Sequence, residues 1–167
     1  LLTAAAKAAG KQVAFVGVGA GDLRGQGARL MARWLVRHAD LLVLRDEESA
    51  AALRLALEAW PQDVQAWTYL GGVEFAAAVR SSARGADPRE RYGKAVVDFG
   101  EVLRRNPEHL PAYNYRGSAY LLLGEAEAAR GIDARETFGK AVRDFEEVLR
   151  RNPEDVLAHN NRGTLYL

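Results

Sequence analysis

The chain has 167 residues with 23 basic and 22 acidic side chains, so its formal net charge of +1 gives no electrostatic case for nucleic acid or an anionic membrane as partner. It contains no cysteine, which rules out disulfides, thiol catalysis and cysteine-held zinc. Hydrophobic content of 49%, rich in Ala and Leu and accompanied by many Glu and Arg, favours helix; no apolar run approaches the roughly 20 residues of a membrane helix.

The opening Leu1-Leu2-Thr3-Ala4 is not a signal peptide with a basic start, and the last residues, Tyr166-Leu167, fall within an apolar periodic segment. The expectation is a piece of a longer, cytoplasmic protein. From the N-terminus, residues 1–10 read as a helix stopped by Gly10, and Lys11 to Val18 as a buried strand leaving through the turn Gly19 to Asp22. Ala28 to His38 places Leu30, Met31, Trp34 and Leu35 on one helical face, and Leu41 to Leu44 is a second strand. Residues 1–47 therefore read as a partial α/β unit, a Rossmann-like βαβ. Gly17, Gly19 and Gly21 do not complete the dinucleotide fingerprint, because Asp22 stands where it requires glycine, and no phosphate-binding P-loop occurs.

The runs GKQVAFVGVGAGDL and GARLMARWLVRHADLLVLRDEESAAAL, with Arg45, Asp46 and Ser49 in an Arg-Asp-x-x-Ser motif, resemble the middle of the polysaccharide pyruvyl transferase family. That resemblance implies a two-lobed α/β fold that transfers a pyruvyl group from phosphoenolpyruvate to a sugar, with Arg45 as a contact to the anionic donor. The residues alone also allow Asp46 to cap the next helix, with Glu47 and Glu48 in its first turn and Arg45 as a solvated charge.

From residue 48 onward the chain repeats. Ala83 to Glu108 returns almost unchanged as Ala129 to Glu154, a shift of 46 residues, and Asn106-Pro107 and Asn152-Pro153 extend back to Trp60-Pro61. Gly71, Gly117 and Gly163 share a frame, as do Trp67, Tyr113 and His159. Ala95, Val96, Phe99, Val102 and Leu103 form an amphipathic stripe, Pro107 stops that helix, and Gly117 marks a close helix approach. Glu125 to Arg130 should lengthen the first helix of the unit as far as Gly131, with Ala83 to Pro88 as the matching corner. The expected fold is mainly α: helical-hairpin repeats over residues 48–167 stacked as an α-solenoid, the last repeat truncated.

Tyr113, Gly117, Tyr120 and Gly124, then Tyr92, Ala95, Phe99, Val102 and Pro107, and again Phe138, Ala141, Phe145, Val148 and Pro153, resemble the tetratricopeptide repeat. The period departs from the usual 34 or so by about 12 residues, inserted between the two helices of each unit. Carried over residue by residue, the resemblance implies a peptide-binding groove at Thr68, Gly72, Phe75, Asn114, Ser118, Leu121, Asn160 and Thr164. The lysines that clamp a terminal carboxylate in chaperone-binding members are missing there.

Arg116 and Arg162 occupy a normally apolar position, and Asp98 and Asp144 accompany them. The expectation is a structural ion pair of Arg116 with Asp98 or Asp144. His38, His109 and His159 have no metal-ligand spacing, so no metal and no cofactor are expected, and no catalytic residue is assigned. The functional expectation is a protein-protein interaction scaffold binding a peptide or partner helix, with no nucleic acid and no membrane, and with self-association through exposed repeat ends as a side effect. The alternative is part of a pyruvyl-transferring enzyme with appended repeats.

Overall fold

The computed structural model describes residues 47–165. Among these it contains six helices: α1 (Glu47–Ala59), α2 (Val64–Ala83), α3 (Arg89–Arg105), α4 (Leu110–Ala128), α5 (Arg135–Arg151) and α6 (Val156–Thr164). The expected βαβ unit, Arg45 included, lies outside the described residues.

The 46-residue frame sets most of the boundaries. Starts of α2, α4 and α6 are 46 apart, as are those of α3 and α5. Each of α2 and α4 packs between the helix before it and the helix after it, and successive first helices (α2 with α4, α4 with α6) also touch. This is the neighbour-to-neighbour stacking of a helical array.

Local chemistry explains the ends. The side chain of Asp63 accepts from the Gln65 and Ala66 N–H groups at 3.1 Å, and Asp155 accepts from Ala158 N–H at 2.9 Å. At the same position of the middle unit His109 does this work, its Nδ1 accepting from Ala112 N–H at 3.1 Å. Two of the first helices close on a glycine in the left-handed region, Gly85 (φ 71) and Gly131 (φ 73). Behind each, the next N–H returns to the helix: Ala86 to the Ser81 carbonyl and Ile132 to that of Glu127. The second helices end where Asn106 and Asn152 turn extended before proline (φ −136, ψ 87 and φ −134, ψ 85).

Part of each insertion thus becomes helix, and the rest forms the turn between the two helices of the unit. α2 runs 20 residues and α4 runs 19, and α4 stops at Ala128, with Gly131 in the turn that follows.

The core is a series of small clusters. Ala50, Leu53 and Leu57 of α1 meet Ala66, Leu70 and Val73 of α2. Phe99 and Val102 gather with Ala112 and Ala119, and one period later Phe145 and Val148 with Leu121 and Ala158. Each phenylalanine lies against a glycine of the facing helix: a Cβ at Gly71 would sit 2.9 Å from the Phe99 ring, and one at Gly117 would sit 2.7 Å from the Phe145 ring. Burying such a ring contributes about 2–3 kcal/mol, and the glycine is what lets it close on the backbone. α1, lying within the segment whose sequence resembles the transferase, packs on α2 as the second helix of a preceding unit would, with Leu53 in the place of Phe99.

Candidate interaction surface

On α2, Gly71 and Phe75 turn to α3, where Phe75 meets the Tyr92 ring edge-on at 5.8 Å, while Leu70 and Val73 turn to α1. What stays open is the stripe through Gln65, Gly72 and Val79, the last 43% exposed, and nothing lies within 4 Å of a Cβ built on Gly72. Thr68 is half-buried and its hydroxyl donates to the Val64 carbonyl at 2.8 Å. Ser118 on α4 donates to the Asn114 carbonyl and accepts from Asn161 of α6 at 3.0 Å, so it sits on the seam between neighbouring first helices. Asn160 and Thr164 on α6 are exposed.

Two residues expected in the groove are elsewhere. Asn114 is only 7% exposed, because the start of α6 lies over it and its amide donates to Asp155, the cap of that helix, at 3.3 Å. Leu121 follows Gly117 by one helical turn, which points it at α5 and into the cluster around Phe145. Phe75, one turn after Gly71, is drawn toward α3 for the same reason and keeps only partial exposure.

The charged pair resolves to one partner. Arg116 donates to Asp144 through two parallel bonds, Nε to Oδ2 at 2.8 Å and Nη2 to Oδ1 at 2.6 Å, joining the two helices of one unit. Burial still pushes the Asp144 carboxyl up, with the Arg116 guanidinium pulling the other way. Asp98 is the equivalent aspartate one unit earlier, where Leu70 occupies the arginine position. Burial, reinforced by the nearby Glu74 carboxylate, pushes Asp98 up to about 7. Glu74 itself is almost fully buried and pairs with Arg54 of α1 and, at 3.4 Å, with Arg91 of α3.

A further contact recurs between each second helix and the loop that opens its unit. Arg105 donates to the Pro61 carbonyl at 2.7 Å and lies over the Trp67 ring at 4.9 Å. One period later Arg151 donates to the Pro107 carbonyl at 2.9 Å and lies over Tyr113 at 5.6 Å. Each second helix is thereby tied to the loop before its own unit. The recurrence of Arg, Pro and an aromatic in one frame is the signal that could have shown it.

Among the described residues no three His, Asp or Glu side chains gather to hold a metal, and no helix is long and apolar enough to cross a membrane. Comparison with family models matches residues 1–60 to polysaccharide pyruvyl transferase and residues 82–137 and 133–167 to the tetratricopeptide repeat. Comparison with curated proteins finds no match. The repeat matches together span just over half of the chain and fall on the paired helices whose glycine-ring contacts and 46-residue spacing are described above. The chain belongs to the tetratricopeptide repeat family.

Proposed function

We propose that this chain is an interaction module that holds an extended segment of a partner protein along its first helices, α2, α4 and α6. The observation that carries the reading is the open stripe on those helices. Gly72, Asn160 and Thr164 are exposed with Ser118 at the seam between them, while the faces turned toward the second helices are packed. Val79, Tyr115 and Leu157, between 43% and 47% exposed, add apolar contacts on the same helices. Hydroxyl and amide groups with apolar neighbours suit a peptide, whose backbone needs hydrogen-bond partners and whose side chains need shallow apolar contact. Tetratricopeptide arrays commonly mediate protein-protein contacts, consistent with this reading.

The test is affinity capture from a cell lysate with the chain and with a Gly72→Arg/Asn160→Arg variant. Both positions are exposed, so the helical circular dichroism should be unchanged while a groove ligand is displaced by the new side chains. A captured protein that the variant loses supports the groove; capture equal in both, or in neither, overturns it.

The match of residues 1–60 to polysaccharide pyruvyl transferase supports a second reading, in which the repeats accompany an enzyme that consumes phosphoenolpyruvate with a sugar acceptor. Arg45 is then the donor contact. Consumption of phosphoenolpyruvate that depends on the sugar and is abolished by Arg45→Ala would establish it, and no consumption by the wild-type chain would remove it.

A further inference from the structure

Each first helix of the array receives its second helix through the same contacts, and among the described residues α6 presents its half of them open. In the two earlier units a buried glycine of the first helix takes a phenylalanine ring of the second, Gly71 against Phe99 and Gly117 against Phe145. Gly163 stands in the same frame on α6, is exposed, and meets nothing within 4 Å of a Cβ built on it. Arg162 stands in the frame of Arg116, which holds Asp144, yet no carboxylate among the described residues pairs with it. The Pro61 and Pro107 carbonyls take Arg105 and Arg151. Among the described residues no arginine reaches the Pro153 carbonyl, which accepts from the His159 ring at 2.8 Å. Val156 is 70% exposed, where its counterpart Val64 is half-buried against the cluster around Phe99 and Val102.

Four open contacts in one register define what would fill them. The helices that make these contacts elsewhere, α3 and α5, share an Asp-Phe pair, a valine three residues after the phenylalanine and an arginine six after it. These are Asp98, Phe99, Val102 and Arg105 on α3, and Asp144, Phe145, Val148 and Arg151 on α5. We propose that this face of α6 docks an amphipathic helix of a partner protein that carries the same four groups. It lies antiparallel to α6 as α5 does to α4, where Phe138 meets Gly124 at one end and Arg151 meets Pro107 at the other. The partner's ring fills the place at Gly163, its carboxylate pairs with Arg162, its valine adds apolar contact at Val156, and its arginine reaches the Pro153 carbonyl over His159.

A second copy of this chain does not offer that helix. Phe99 and Phe145 are 1% and 0% exposed inside their own hairpins, and α1 has Ala52 and Ala59 where the aspartate and arginine belong. The surface is also separate from the peptide stripe proposed above, since Gly163 lies about 100° around the helix from Thr164.

The probe is a fluorescein-labelled peptide with the sequence of residues 135–151, followed by anisotropy as the whole chain is titrated in. Its Phe145→Ala form should bind about tenfold more weakly, or worse. Gly163→Leu fills the open place at an exposed position, so the helical circular dichroism stays unchanged while the peptide loses at least about tenfold in affinity. Arg162→Glu should weaken the peptide to a similar degree, and an Asp144→Arg peptide should restore binding to that variant to within about threefold, which a misfolded chain could not do. This pattern supports the site. No binding up to about 1 mM overturns it, and so does binding indifferent to Gly163→Leu, which would mean that the peptide displaces α5 instead. Light scattering of the chain alone is the control: a dimer that Gly163→Leu abolishes would give the face to a second copy and overturn the partner assignment.

Discussion

Asp98→Asn separates the two aspartates that the repeat makes equivalent. Asp144 has Arg116 against it, whereas Asp98 is buried beside Glu74 with Leu70 in the arginine position, and its carboxyl is pushed from 3.8 up to about 7. The native state therefore keeps a proton on Asp98 between about pH 4 and pH 7 that the unfolded chain releases. Stability from this group is fully present below pH 4 and lost as pH rises through 7. A shift of that size corresponds to about 4 kcal/mol, and local water entry and relaxation reduce what is measured to roughly 2–4 kcal/mol. Asparagine cannot ionise. The variant should match wild type near pH 4.5 and exceed it by about 2–4 kcal/mol at pH 8, a rise in midpoint of roughly 5–10 °C for a chain of this size. Thermal and urea unfolding followed at 222 nm at pH 4.5, 6 and 8 would measure it. Comparing the two proteins cancels the exposed carboxylates, such as Glu147 held low by Arg150, that titrate at the acid end. A difference between wild type and variant that does not change with pH would refute the account.

Adjacent glycines should respond with opposite sign. Gly71→Ala forces a methyl to 2.9 Å from the Phe99 ring and should cost about 1–3 kcal/mol, whereas Gly72→Ala meets nothing and should gain up to about 1 kcal/mol in helix propensity. Thermal midpoints moving the same way in both would contradict the packing described. His109→Asp restores the cap that Asp63 and Asp155 provide in the neighbouring units and should stabilise α4 by about 0.5–1 kcal/mol in urea unfolding; a lower midpoint would show that the imidazole makes a contact beyond the cap. Arg116→Leu strands the buried Asp144 carboxylate and should cost about 3–5 kcal/mol, most of it recovered in Arg116→Leu/Asp144→Ala. Additive losses in that double-mutant cycle would mean the pair is not coupled.

Much of the architecture was legible from spacing alone. A 46-residue shift aligns Gly71 with Gly117, Phe99 with Phe145 and Pro107 with Pro153, and two such shifts align Asp63 with Asp155. Each of these acts through local or single-partner physics: a side chain capping its own helix, a ring closing on a glycine, a proline ending the helix before it. Such features survive being read one stretch at a time. Even the lengthening of α4 toward Gly131 follows from an alanine-rich run that meets no breaker earlier.

The functional surface was less legible, because it depends on which neighbour covers a residue. Asn114 looks like an open polar position until α6 lies across it, and Leu121 sits on a groove-like register yet points into the hairpin. Asp98 and Asp144 are equally good partners for Arg116 by residue type, and only the packing of α4 on α5 within one unit selects Asp144. The cluster around Glu74 joins residues of three helices with no local spacing to announce it. Period, caps and stops are written in the sequence because they act along the chain; burial, pairing and convergence of charge are decided by tertiary structure because they act between helices.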